Sequence, residues 1–353
     1  MPRAAQGVIT ACIAILSIAF GAGAQAPLNR AAEAHAGRAV QLLQDRRYGE
    51  AAAEFEQALA VDPDNDAVRI QYATCLFIQE RDDESRRQFE IERRRSGDQP
   101  GINYFLGRLD LRANDFAQAI RRLSPLAANP VFPKASFYLG LAYLSGGQQG
   151  RALESLEFAA KNNPGDPEVH YRLGRVYTIA GRTDDAEREY KIYRNTRETQ
   201  RLVEEEGHAC MEALRTHPIG EASEVCRRIA DPNDAQRMVL LGQLYADAGA
   251  FAEAVEPLRV AVKLDATSFD AWHHLGLSLY WLRRYQEALP ALQKAQELNP
   301  RYFDTLNLLA ATFHALGNDG AALPVLERAH TLNPDDEKVK SALERMRAEQ
   351  RNR

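Results

Sequence analysis

His273 and His274 carry the side chains best suited to metal binding or proton transfer, and they are adjacent in the chain. Neighbours on a helix point about 100° apart, so the two rings cannot grip one ion as an i, i+4 pair does. Gly146-Gly147-Gln148-Gln149-Gly150 has enough glycine for a phosphate cradle. It follows no strand, however, and falls on a turn between two helices. The motifs Gly-x-Gly-x-x-Gly, Gly-x-x-x-x-Gly-Lys-Ser/Thr, Gly-x-Ser-x-Gly and His-Glu-x-x-His do not occur. Asp82-Asp83 and Asp184-Asp185 sit at helix starts, where acidic side chains favour the positive end of the dipole. Glu204-Glu205-Glu206 reads as a solvated face, and Arg93-Arg94-Arg95 has Glu90 and Glu92 at helical reach. The expectation is a chain that is not an enzyme, with no catalytic residue, metal or cofactor.

Charge narrows the partners. The 353 residues include 44 basic and 49 acidic side chains, a formal charge of −5. Nucleic-acid binding runs on an excess positive field, which this chain lacks. Between Arg3 and Arg30 there is no charged residue, and Val8–Phe20 is an apolar run followed by Gly21-Ala22-Gly23-Ala24-Gln25-Ala26. A basic start, a short apolar core and a small-residue exit read as a secretory signal peptide over 1–24, cut at Ala24|Gln25. The alternative is a retained membrane anchor, since the uncharged span is long enough to cross a bilayer. Either way the rest of the chain is expected outside the cytoplasm, periplasmic or secreted.

The elements that hold these side chains repeat. Ala152, Ala186, Gly220, Ala254, Ala288 and Ala322 are each 34 residues after the last, and Pro130, Pro164, Pro232, Pro300 and Pro334 are spaced by 34 or 68. Each unit reads as two helices. In the unit starting at Phe269, Trp272, Leu275, Gly276 and Leu279 share one face of a first helix. Ala288, Leu292 and Ala295 stripe a second, which Pro300 ends. Gly276 and Ala288 stand where two helices must approach closely.

Leu139-Gly140-x2-Tyr143, Leu173-Gly174-x2-Tyr177 and Leu241-Gly242-x2-Tyr245, with Ala51-x3-Phe55, Ala152-x3-Leu156 and Ala322-x3-Leu326, resemble the tetratricopeptide-repeat family. The resemblance implies an all-α fold, a right-handed α-solenoid of about nine 34-residue helix-turn-helix repeats. Units start at Ala32, Asp66, Pro100, Pro133, Pro167, Arg201, Ala235, Phe269 and Phe303. Repeats one to five cover 32–200 and repeats seven to nine cover 235–336. A capping helix with a basic tail occupies 337–353, covering the open end of the stack. The unit 201–234 fits poorly: Val225, Cys226 and Ile229 lie about two positions late, and Asp184–Thr216 holds no proline and one glycine. It is a diverged repeat, or a hinge entered through one long helix.

Cys210 falls on the first helix of that unit and Cys226 on the second. Outside the cytoplasm they form a disulfide stapling the weakest repeat, or remain two buried thiols.

The resemblance also implies a function: a non-catalytic interaction scaffold of the cell envelope, holding a partner peptide or helix in a concave groove. The alternative is an accessory part of an envelope assembly or export complex, acting through its convex face or ends. By the family's pattern the groove is lined by first-helix residues one, five and eight positions after the residue typified by Trp272. These are Tyr104, Arg108, Phe137, Leu141, Tyr171 and Arg175 in units three to five, and His273, Tyr280, Asn307 and His314 in units eight and nine. Tyrosine and arginine favour a partner segment that is apolar with acidic residues. A membrane enters only if the N-terminal segment is retained.

Overall fold

A computed structural model describes residues 30–351; the signal segment expected at 1–24 lies outside them, as do the last two residues of the basic tail. Among the described residues the regular elements are eighteen α-helices and two single 3-10 turns, with no strand. In chain order they are α1 (Arg30–Gln44), α2 (Tyr48–Val61), α3 (Asp66–Ile78), α4 (Asp82–Ser96), α5 (Pro100–Arg112), α6 (Phe116–Leu123), α7 (Ala135–Ser145), α8 (Gln149–Asn162) and α9 (Pro167–Ile179). There follow α10 (Thr183–Thr216), α11 (Ile219–Cys226), α12 (Ala235–Asp247), α13 (Phe251–Leu264), α14 (Phe269–Trp281), α15 (Tyr285–Leu298), α16 (Phe303–Ala315), α17 (Asp319–Leu332) and α18 (Glu337–Arg351). The fold is the all-α array of helix pairs that the period implied. Asp66, Pro100, Pro167, Ala235, Phe269 and Phe303 are both unit starts and first residues of helices.

Local chemistry fixes these boundaries. Asn65, Asp166, Asp234 and Ser268 each accept a backbone N–H of the first turn they precede, satisfying donors that no helical carbonyl reaches. Between the two helices of a unit the chain reverses through one residue with positive φ: Arg46, Glu80, Asn114, Gly147, Gly181, Gly249, Arg283 and Gly317. Three of these, Arg46, Glu80 and Arg283, are neither glycine nor asparagine, so there the turn is imposed by helix packing against a local steric preference.

The series skips one place, near Arg215, because α10 runs through it. This 34-residue helix, about 51 Å long, serves as second helix of the fifth unit and first helix of the sixth. Arg201–Glu198 at 2.6 Å and Arg215–Glu212 at 2.8 Å pair along its surface. The sixth unit turns instead at His217-Pro218, and its second helix is displaced by two residues. Ala222, Cys226 and Ile229 are fully buried, whereas a Cβ on Gly220 would touch nothing within 4 Å. Gly220 keeps the 34-residue phase of Ala186 and Ala254, but the buried small residue of this helix is Ala222.

The helices form two compact units. One comprises residues 63–201; the other comprises the described residues up to Asp62 together with 202–351, so the division falls within α10. In the first, Phe89 and Phe105 stack at 5.1 Å in a core with Ile102, Leu123 and Phe132. In the second, Leu241, Leu258, Leu275 and Leu292 form the main core. At its C-terminal end Val339 and Leu343 of α18 pack with Leu326 and Leu332, so α18 covers that apolar surface. The sequence puts α1 and α2 at the head of the block 32–200. By contact they belong with 202–351, through α17.

Candidate functional site

The first helices of units two to four build one aromatic and cationic cluster. Arg108 of α5 lies with its guanidinium carbon 4.5 Å from the Phe77 ring of α3 and 4.5 Å from the Tyr138 ring of α7, with Tyr104 at 5.4 Å. Such contacts attract a cation to the negative faces of the rings while leaving its N–H edge to hydrogen-bond elsewhere. Among the described residues no carboxylate lies within ion-pair distance of Arg108. Nearby arginines are committed: Arg86 and Arg122 both reach Asp110, at 2.5 and 3.0 Å, and Arg122 also reaches Glu90 at 3.1 Å. Arg112 also lies over the Phe77 ring, at 3.9 Å, and pairs with Asp82 at 3.1 Å. Burial pulls the Arg112 pKa below its ordinary value, with Asp82 opposing that shift.

The sequence-derived residues divide accordingly. Tyr104 and Phe137 are 5% and 6% exposed. Tyr104 packs on Phe105, Phe132 and Tyr138; Phe137 packs on Tyr138 and into the core with Leu156 and Leu173. They are buried beneath the surface and do not line it, a correction to their expected place. Arg108 and Leu141 are half-buried and Arg175 is exposed. Tyr171 is half-buried among Tyr190 at 6.2 Å and Tyr193 at 5.3 Å of α10. Tyr104 and Arg108 are brought into one cluster. Phe77 and Tyr138, which clamp Arg108, were missed. The rule that selects Tyr104 from unit three reaches Phe77 when carried back one unit; nothing in the spacing singles out Tyr138.

The other four residues do not converge. His273 is 5% exposed, its ring stacked near Phe269 and 4.9 Å from Tyr302, with Nδ1 2.9 Å from the Thr305 hydroxyl. It too is corrected from lining to core. Tyr280 packs on Trp281 and Tyr285, and burial raises its pKa. Asn307 is half-buried, and exposed His314 has Nδ1 2.7 Å from Asp319. Among the described residues no group of three His, Cys, Asp or Glu side chains is placed to hold a metal ion.

Burial lowers the His273 pKa from 6.5 to about 3, so the folded unit holds a neutral ring where the unfolded chain takes a proton. That neutral ring opposes unfolding fully above the unfolded pKa. Its contribution is lost as pH falls from 6.5 towards 3, at up to about 1.4 kcal/mol per pH unit. His273→Gln is expected to flatten the decline in thermal stability between those limits; an unchanged slope in calorimetry would assign the decline to other groups.

Cys210 and Cys226 are joined in a disulfide with Cα atoms 4.5 Å apart, both fully buried beside Ile229 and Met238. Cys75 is buried, its Sγ accepts from the Gln79 side-chain amide at 3.4 Å, and burial raises its pKa to about 11.

Known proteins give the class. Profiles described as tetratricopeptide repeat match residues 42–90, 104–154, 147–197 and 282–346, and one described as anaphase-promoting complex, cyclosome, subunit 3 matches 215–295. The chain belongs to the tetratricopeptide-repeat family, and its repeats make it a protein–protein interaction scaffold. Solved structures similar to it include a MamA RS-1 ArsTM double mutant, 17% identical, covering 49% of this chain and 98% of its own, with a TM-score of 0.46. Pseudomonas aeruginosa pilF is 14% identical, covers 68% and 95%, and has a TM-score of 0.42. The C-terminal part of a repeat-containing protein from Cytophaga hutchinsonii is 14% identical, covers 68% and 99%, and has a TM-score of 0.34. No curated protein matches the chain.

Proposed function

We propose that this protein is a non-catalytic scaffold of the cell envelope that captures an apolar partner segment carrying acidic residues, at the surface around Arg108. One observation carries the reading. The Arg108 guanidinium is held between the Phe77 and Tyr138 rings at 4.5 Å each, with no carboxylate partner among the described residues. A clamped, unpaired guanidinium has lost most of its rotamer entropy before binding, and its planar fork accepts a carboxylate in two-point contact. Half-buried Tyr138 supplies apolar area, while Phe77 and Tyr104, each 5% exposed, hold the guanidinium in place. Arg175, exposed on α9, offers a second positive charge to the same class of partner.

Arg108→Glu combined with Arg175→Glu is expected to leave helicity unchanged and to abolish capture of the partner from periplasmic extract. Capture at unchanged affinity and salt dependence would move the site elsewhere. The envelope assignment rests on the N-terminal sequence alone. N-terminal sequencing of the exported protein is expected to start at Gln25; an intact Met1 would favour the anchored form.

A second reading has one observation in its favour. Trp281 is 58% exposed at the end of α14 and stacks on Phe251 at 5.8 Å, outside the Arg108 cluster. An exposed tryptophan at a turn edge suits edge-on assembly. Trp281→Ala abolishing capture while the double arginine variant retains it would select this reading.

A further inference from the structure

The helix pair α1–α2 is docked onto the C-terminal end of the unit that contains it, and α1 makes the contact. Gly37 of α1 lies so close to α17 that a Cβ there would fall 2.2 Å from the Leu332 carbonyl oxygen and 2.8 Å from its Cα. Only glycine fits, since real Cβ atoms do not approach backbone so closely. Ion pairs flank this point: Glu33 with Arg301 at 3.7 Å, and Arg38 with Asp335 at 3.5 Å. Burial depresses the Arg301 pKa and Glu33 opposes that shift, so the dock supplies a counter-charge that Arg301 needs.

The dock joins residues about three hundred positions apart in the chain, and the hairpin leaves it through the short segment Asp62-Pro63-Asp64-Asn65. Its own helices pack on each other through Ala51, Ala52, Phe55 and Ala58, so the hairpin carries its own small core. The buried residues of α1 are alanines and a valine, and the ion pairs are partly exposed. Close backbone approach and charge pairing, without a large side chain locked in a pocket, make a seat that a self-contained hairpin can enter or leave as a body.

We propose that the face formed by Arg301, Leu332 and Asp335 is a docking site for the α1–α2 hairpin of a second copy of this chain, so that two copies exchange hairpins into a reciprocal dimer. In one chain the hairpin fills its own seat. At high concentration the same contacts form between chains, with identical interfaces in both directions, as closed exchange requires. The tether favours the self-docked form until protein concentration approaches the effective concentration it sets.

Charge reversal separates the two arrangements. In Glu33→Arg, and likewise in Arg301→Glu, a chain docked on itself would place like charges together. Mixed one to one, each hairpin finds an opposite charge on the other variant. The mixture is expected to run at twice the monomer mass in light scattering, at a concentration where wild type and each variant alone are monomers. The chain carrying both substitutions is expected to be monomeric, with wild-type hydrogen-exchange protection in α1. Circular dichroism of each single variant matching wild type shows that both still fold. A mixture that stays monomeric would overturn the proposal. So would single variants whose α1 protection equals wild type, or a doubly substituted chain that fails to regain it.

Discussion

Replacing Cys210 and Cys226 together by alanine is expected to cost on the order of 3 kcal/mol, most of it in the sixth repeat. The bridge closes a loop of sequence separation 16, and in the chain-entropy account a loop of that length restricts the unfolded state by about this amount. The native reason is equally specific. α11 has eight residues, too few to persist as a helix unaided, and it is followed at once by a 3-10 turn. It is held by Ala222, Cys226 and Ile229 on its buried side and by the covalent link to α10. Alanine leaves no buried unsatisfied group, so the loss reports the crosslink and a small packing defect. Urea denaturation gives the magnitude, and hydrogen exchange its extent. Amides between about 205 and 232 should exchange faster while α5 and α6 are unchanged. Equal loosening of α5 and α6 would mean that the repeats do not behave as neighbours coupled in one dimension.

Gly276→Leu is expected to cost about 1–3 kcal/mol by forcing apart the two helices of the eighth repeat. A Cβ at this position falls 2.6 Å from both Cγ and Cδ2 of Leu292 and 3.3 Å from its backbone nitrogen. The leucine side chain has rotamers to yield with; the nitrogen belongs to α15 and moves only with the helix. The same pairing recurs at Gly242, whose Cβ would lie 2.4 Å from Leu258. The contrast is Gly220. Gly220→Ala should be neutral or mildly stabilising, since the added methyl meets nothing and removes glycine's freedom in the unfolded chain. Equal melting shifts for Gly276→Leu and Gly220→Ala would contradict this packing account.

What the sequence revealed follows from what repetition makes visible. A residue type recurring every 34 positions marks a place used alike in every unit, which is why six unit starts coincide with helix starts and why Gly276 stands at a close approach. The two-residue delay of Cys226 and Ile229 was legible for the same reason, and Gly220 shows that a residue can keep phase where the buried position is two residues later, at Ala222. Contacts particular to one place leave no period. Nothing in the spacing of Gly37 announces the carbonyl of Leu332, and Tyr138 shares its phase with Phe105, which packs in the core, so phase does not mark it as one wall of the Arg108 clamp. The positional rule also fixes only which way a first-helix residue points. Whether that direction meets solvent depends on the neighbouring helix, and for Tyr104, Phe137 and His273 it meets packed aromatic rings or core side chains.

The surface around Arg108 is proposed to read a carboxylate set in an apolar segment. Its most direct test is to pan a displayed random-peptide library against the immobilised protein, then titrate the enriched peptides against wild type and against Arg108→Glu combined with Arg175→Glu. Enriched peptides are expected to carry an acidic residue beside aromatic or aliphatic ones. Their affinity should weaken with added salt and fall at least about tenfold in the variant, the loss expected from one charge-assisted contact worth about 1.4 kcal/mol or more. Enriched peptides without acidic residues, bound equally by wild type and variant, would contradict it.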